Sequence, residues 1–186
     1  MNWIAFAIAA WVCFALEEGL RNLLRAGGAA PSFVFALLVA VALAAPAGWV
    51  PWAALALGLV ADLLDKVDVT GDAAGTIVGP NALGFLLASQ LMVAMRPLMN
   101  RRNPLSFGVL GLAGSLVAHA VVVAMMTAHS IFGDSILWEA RHQVLVRLGS
   151  SVYTGVLAMA LSLALIPLSG FLGFPATQAR RFGRRV

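Results

Sequence analysis

Long apolar runs, each closed by a short polar or proline-glycine break, repeat along this chain. Trp3 to Leu16 is apolar and ends at Glu17-Glu18. Beyond it, Leu20, Leu23 and Leu24 keep helical spacing with the charges off that face. The first helix is therefore expected to leave the hydrocarbon there and to continue along the interface until Gly27-Gly28. Pro31 opens a second helix over Phe33 to Ala45, since proline is tolerated in a first helical turn. The break from Pro46 to Trp52 predicts a tight hairpin, with Trp49 and Trp52 in an interfacial belt. The third helix, Pro51 to Leu64, is short: at the usual rise it reaches about 21 Å. The hydrocarbon there is either thinned locally or shared with neighbouring helices.

The polar stretch Asp65 to Asp72 reads as a solvated loop; its three aspartates have neither the spacing nor the closing glutamate of an EF-hand calcium loop. A fourth helix runs from about Gly79 to Met99 and is broken at Arg96-Pro97, and Arg101-Arg102-Asn103-Pro104 forms a basic turn. The fifth helix covers Leu105 to about Thr127. A second polar patch, His129 to Arg147, follows, with Leu137 and Trp138 able to dip into the interface. The sixth helix covers Val152 to Leu172 with a kink at Pro167. The expected fold class is all-α, an integral membrane bundle of about six transmembrane helices. It occupies residues 1–175 and leaves 176–186 as a basic cytoplasmic tail.

Composition removes the soluble alternatives. Of 186 residues, 61% are hydrophobic and 11% charged, where a soluble domain carries about 25% charged residues. Mean hydropathy is +0.93. The net charge of +4 is no nucleic-acid signature, because the bases lie at segment ends and in the tail, where membrane orientation and anionic headgroups account for them. Cys13 is the single cysteine and cannot form an internal disulfide. No positive charge precedes the first apolar run, so it is expected to be a retained helix and not a signal peptide.

With six spans, one side holds Arg96, Arg101, Arg102 and the four tail arginines, with no acid. The other holds Arg21, Arg25, Lys66, Arg141 and Arg147 together with seven of the eight acids. The bias places both termini in the cytoplasm. Asp62, Asn81 and His119 are then expected at similar depth in the outer half of the bundle. Ionisable groups in spans are costly and default to function with a partner. Asp62 is equally compatible with a position near enough to the interface to be wetted, and His119 and Gln90 are read as packing residues. Gly84 with Ala88, Gly111 with Ser115 and Ser151 with Gly155 are small residues spaced by four, which lets helix backbones approach. No catalytic, cofactor or metal site is expected. Ser115 and His119 lack a recognisable third group for a hydrolase, and there is no phosphate loop, dinucleotide fingerprint or metal-ligand cluster.

The order of these features resembles the rod shape-determining protein MreD family of small multi-pass bacterial inner-membrane proteins. The resemblance is carried by Leu16-Glu17-Glu18-Gly19-Leu20, Pro31-Ser32-Phe33, the stretch Leu57-Gly58-Leu59-Val60-Ala61-Asp62-Leu63-Leu64, the segment Gly79-Pro80-Asn81-Ala82-Leu83-Gly84, and the basic turn at Arg101-Arg102. It spans roughly residues 10 to 170 as a pattern of helices, and only the Asp62 stretch is specific. Two departures stand out: family members tend to carry an acid where this chain has Ser32, and the loops after Asp65 and His129 are longer than usual. The resemblance implies a non-catalytic scaffold or regulator of cell-wall elongation in the bacterial cytoplasmic membrane. Expected partners are an MreC-like bitopic protein, MreB, RodA, a class B penicillin-binding protein and membrane lipids. Gly58, Asp62, Pro80, Asn81 and His119 are the candidate structural, partner or pocket residues. The family's fold is similar to the substrate-binding component of energy-coupling-factor transporters. The alternative function is therefore a small-molecule, vitamin-type uptake subunit, which needs a cavity where polar and aromatic groups converge.

Overall fold

The computed structural model describes residues 2–69, 73–100, 103–131 and 140–168. Among the described residues there are six α-helices: α1 (Trp3–Leu24), α2 (Phe33–Ala44), α3 (Val50–Leu64), α4 (Pro80–Met95), α5 (Pro104–Ile131) and α6 (Ala140–Leu168). Strands β1 (Val67–Val69) and β2 (Ala73–Gly75) pair antiparallel as a small hairpin between α3 and α4. Among the described residues, four stretches are long and apolar enough to cross a membrane: Trp3–Leu24, Ala47–Leu64, Pro104–Ile131 and Arg141–Leu163. This is the make-up of a membrane-embedded helical bundle.

The shortest helix lies at the centre. α2 packs on all five other helices, and every residue from Phe33 to Leu43 is buried. Its sequence, FVFALLVAVALA, has no polar face because no face meets water. Twelve residues rise only about 18 Å, too few to cross a ~30 Å core, and the end residues Phe33 and Ala45 are buried. Their free amides and carbonyls must be met by protein. By contrast, α1 buries only Phe6 and Ala10 and leaves Ile4, Ile8, Trp11 and Leu23 exposed. Trp3 of α1 meets Trp49 edge-on, with ring centroids 5.7 Å apart.

The expected small-residue contacts are present. A Cβ on Gly84 would lie 2.8 Å from the Ala118 carbonyl oxygen, and one on Gly111 would lie 2.9 Å from Ala158 Cβ. The seams between α4 and α5 and between α5 and α6 therefore close backbone against backbone.

The first helix continues past Glu17-Glu18, as expected, and ends at Leu24. Two expectations change. First, α6 begins at Ala140, not Val152, so Arg141 to Arg147 are helical and not loop. Second, Asp65 to Val78 contains the β1–β2 hairpin, not only loop. The turn at Arg101-Arg102, the patch with Leu137 and Trp138, and the 176–186 tail lie outside the described residues.

Candidate functional site

The polar groups gather at the end of the bundle where α1 and α3 finish and α2 and α4 begin. Asp62 lies in the last turn of α3 and is buried. Its Oδ2 accepts from the backbone amides of Gly79 (2.8 Å) and Ala82 (3.0 Å), and its Oδ1 from that of Asn81 (2.8 Å). The residue skipped is Pro80, which has no N–H to offer. Asp62 thus meets every amide around the start of α4, where the helix dipole also favours a negative charge. Gly79 reaches this geometry at φ 131°, a conformation L side chains rarely adopt.

Gly58 sits one turn before Asp62 on the same face of α3. A Cβ there would lie 2.5 Å from Ala82 Cα and 2.8 Å from the Asn81 carbonyl oxygen. The missing side chain lets the first turn of α4 come close enough for Asp62 to reach its amides. The Gly-x-x-x-Asp spacing of the sequence is one device: glycine admits the neighbouring helix and aspartate caps it.

A second carboxylate repeats the solution on α2. Ser32 is its N-cap, with Oγ accepting from the Phe35 amide at 3.1 Å. Glu17 Oε2 accepts from Ser32 Oγ and from the Val34 amide, each at 3.0 Å. At the other end of α2, Arg96 Nε donates to the Ala42 carbonyl at 2.7 Å, and its Nη2 donates to the carbonyls of Ala42 and Ala45. The central helix is held at both termini by charges of the sign its dipole prefers. The loop before it is tied to α6, with the Ser32 amide donating to Thr154 Oγ1 at 3.0 Å and the Ala30 amide to Ser150 Oγ at 3.2 Å.

Beside these caps opens a cavity of about 420 Å³. Its acids are Glu17, Glu18 and Asp65 and its cations Arg21, Arg25, Lys66 and Arg147. Asn81, His119, Gln143, Ser150 and Thr154 add neutral polar groups, and Phe14, Phe35, Phe85 and Met126 form apolar wall. Arg21 lies 3.7 Å from Glu18 and 3.8 Å from Asp65 in half-exposed pairs. His119 Nδ1 is 2.9 Å from Ser151 Oγ, which is 2.9 Å from the Arg147 carbonyl. The serine has one proton to give and the carbonyl can only accept, so Nδ1 is the donor to Ser151.

Asp62, Asn81 and His119 therefore share one end of the bundle, but not one centre. Asp62 engages Asn81 only through the backbone and does not line the cavity, whereas Asn81 and His119 do. Pro80 is buried at the first position of α4. Gln90 is exposed on α4 and does not pack inside.

Sequence reasoning passed over Glu17, Arg96, Gln143 and Arg147. A signal for the last two was present: positions 143, 147, 150 and 154 all line the cavity and recur at helical spacing.

The fold and site define a polytopic helical bundle whose buried charges cap its own helices and whose polar end encloses a ligand-sized cavity. Comparison with protein-family models, with curated proteins and with solved structures finds no match for the chain.

Proposed function

We propose that this chain is a non-catalytic membrane scaffold of the MreD type, acting in cell-wall elongation in the bacterial cytoplasmic membrane with both termini inside. The observation that carries the reading is the lock between Gly58, Asp62 and the amides of Gly79, Asn81 and Ala82. The most specific stretch of the family resemblance, around Asp62, is the one that fastens α3 to α4, which supports the reading. The departure at Ser32 has a physical counterpart: where family members tend to carry an acid, Glu17 brings a carboxylate to the same helix start. Glu17, Asp62 and Arg96 are occupied by backbone groups, which suits a rigid body presented to partners better than proton transfer.

The test is a detergent pull-down of the tagged protein from its native membrane, with partners identified by mass spectrometry. The scaffold reading predicts an MreC-like bitopic protein with the elongation enzymes. Recovery of paired ATPases with a coupling membrane protein overturns it in favour of the second reading, a small-molecule uptake subunit. That reading is favoured by one feature, the cavity of about 420 Å³ with its mixed polar and aromatic lining, a size within the ligand-cleft range of roughly 300–1,000 Å³.

A further inference from the structure

The outward side of α1 has a pattern of its own. α1 packs chiefly on α2, and it turns Phe6, Ala10 and Cys13 toward the core. The opposite side carries Ile4, Ile8, Trp11 and Ala15, all exposed, in steps of four, three and four residues. At the same spacing that line passes Glu18 and reaches Asn22, also exposed. These are heptad seam positions, with Ile8, Ala15 and Asn22 at a and Ile4, Trp11 and Glu18 at d. Trp11 is 74% exposed and lies about 12 Å along the helix from Trp3 and about 10 Å from Glu18. Trp3 rests on Trp49, at the level expected for an interfacial belt. Trp11 therefore faces the middle of the hydrocarbon, whereas indoles favour membrane interfaces.

We propose that this face of α1 is a homodimer interface, on which a second copy of the chain docks its own α1 in parallel. Copies inserted in the membrane in the same direction bring their α1 helices together parallel, about a two-fold axis along the membrane normal. Identical residues then meet at identical depth. The seam suits that arrangement. Trp11 meets its equivalent away from lipid, and Ala15, one turn on, leaves room for two indoles at one level. Asn22 carries donor and acceptor on one amide and so pairs with itself. A single polar Asn at an a position fixes register and strand number in parallel two-stranded coils. Glu18 faces its own copy in such a dimer, and Arg21, 3.7 Å away in the same chain, offsets its charge. A coat of lipid would account for the isoleucines, but not for a mid-depth indole in line with an amide. The dimer is independent of whether the chain acts as a scaffold or as an uptake subunit.

Oxidative cross-linking of the full chain at low density in lipid vesicles tests this, with single cysteines placed along α1 in a Cys13→Ala background. Ile8→Cys and Ala15→Cys should form disulfide dimers readily. Ala9→Cys and Leu16→Cys, on the same helix but off the seam, should give about tenfold less, because a disulfide demands close Cα atoms. Single-molecule bleaching of the fluorophore-tagged wild type at the same density should show mostly two steps. Trp11→Ala should weaken dimerisation about tenfold, and Asn22→Asp, which sets like charges against each other, several-fold. Leu163→Ala, on the exposed face of α6, should leave it unchanged. These variants lie on exposed positions, so each should keep the melting point of the wild type. Single-step bleaching in the wild type, equal cross-linking at Leu16 and Ile8, or undiminished dimerisation in Trp11→Ala overturns the proposal. So does oxidation in native membranes that joins Ile8→Cys to a different protein, which would assign the face to a foreign membrane span.

Discussion

Asp62 and His119 are both polar side chains placed inside apolar helices, and the structure treats them in opposite ways. Asp62 is sealed against three backbone amides and sees no cavity. His119 bonds across the α5–α6 seam, to Ser151, and borders two open spaces. The difference lies in the neighbouring backbone. A helix that starts below the membrane surface presents amides that no water can reach, and a carboxylate there is a structural part. A histidine in mid-helix meets backbone that is already paired within its helices, so it holds no helix end and borders the cavity instead. Intramembrane polarity alone does not mark function; the state of the adjacent backbone separates the two cases.

The largest effect that would sharpen this contrast is expected from Asp62→Ala. It strands three buried amides and removes a charge matched to a helix start, which should cost about 3–5 kcal/mol. In thermal unfolding in detergent this corresponds to a drop on the order of 10 °C. Gly58→Val should come next: its new side chain would collide with the backbone of α4, costing about 1–3 kcal/mol. Together with a lowered melting point, Gly58→Val should expose the α4 start to proteolysis. Ser32→Ala removes the N-cap of α2 but leaves Glu17 on the Val34 amide, for a loss of about 1 kcal/mol. His119→Ala gives up one neutral hydrogen bond and should cost at most about 1 kcal/mol, while altering ligand or partner retention more than melting. If Asp62→Ala and His119→Ala both behaved as wild type, the contrast would collapse.

The sequence made much of this bundle legible for a physical reason. Apolar runs of helical length have one solution in lipid, so α2, α3 and the core of α5 fall close to where hydropathy places them. The small-residue pairs also read correctly, because a glycine opposite another backbone leaves the same spacing wherever it occurs. The start of α6 was misjudged, and the part of Glu17 was missed, because polar side chains were taken to mean water. Glu17 and Arg147 instead meet a helix start and a protein-lined cavity, and the chain stays helical through both. The role of Arg96 was invisible for another reason: the carbonyls it holds belong to α2, some fifty residues earlier in the chain. Linear spacing can show that Gly58 and Asp62 share a face. It cannot show which helix that face receives.

The most direct test of the capping account is amide hydrogen exchange at Gly79, Asn81 and Ala82 in the full chain reconstituted in lipid nanodiscs. First-turn amides have no intrahelical acceptor and exchange readily when uncapped. The account predicts strong protection at these three sites in the wild type, lost in Asp62→Ala while mid-helix α5 amides stay protected. Rapid exchange at all three sites in the wild type would contradict it.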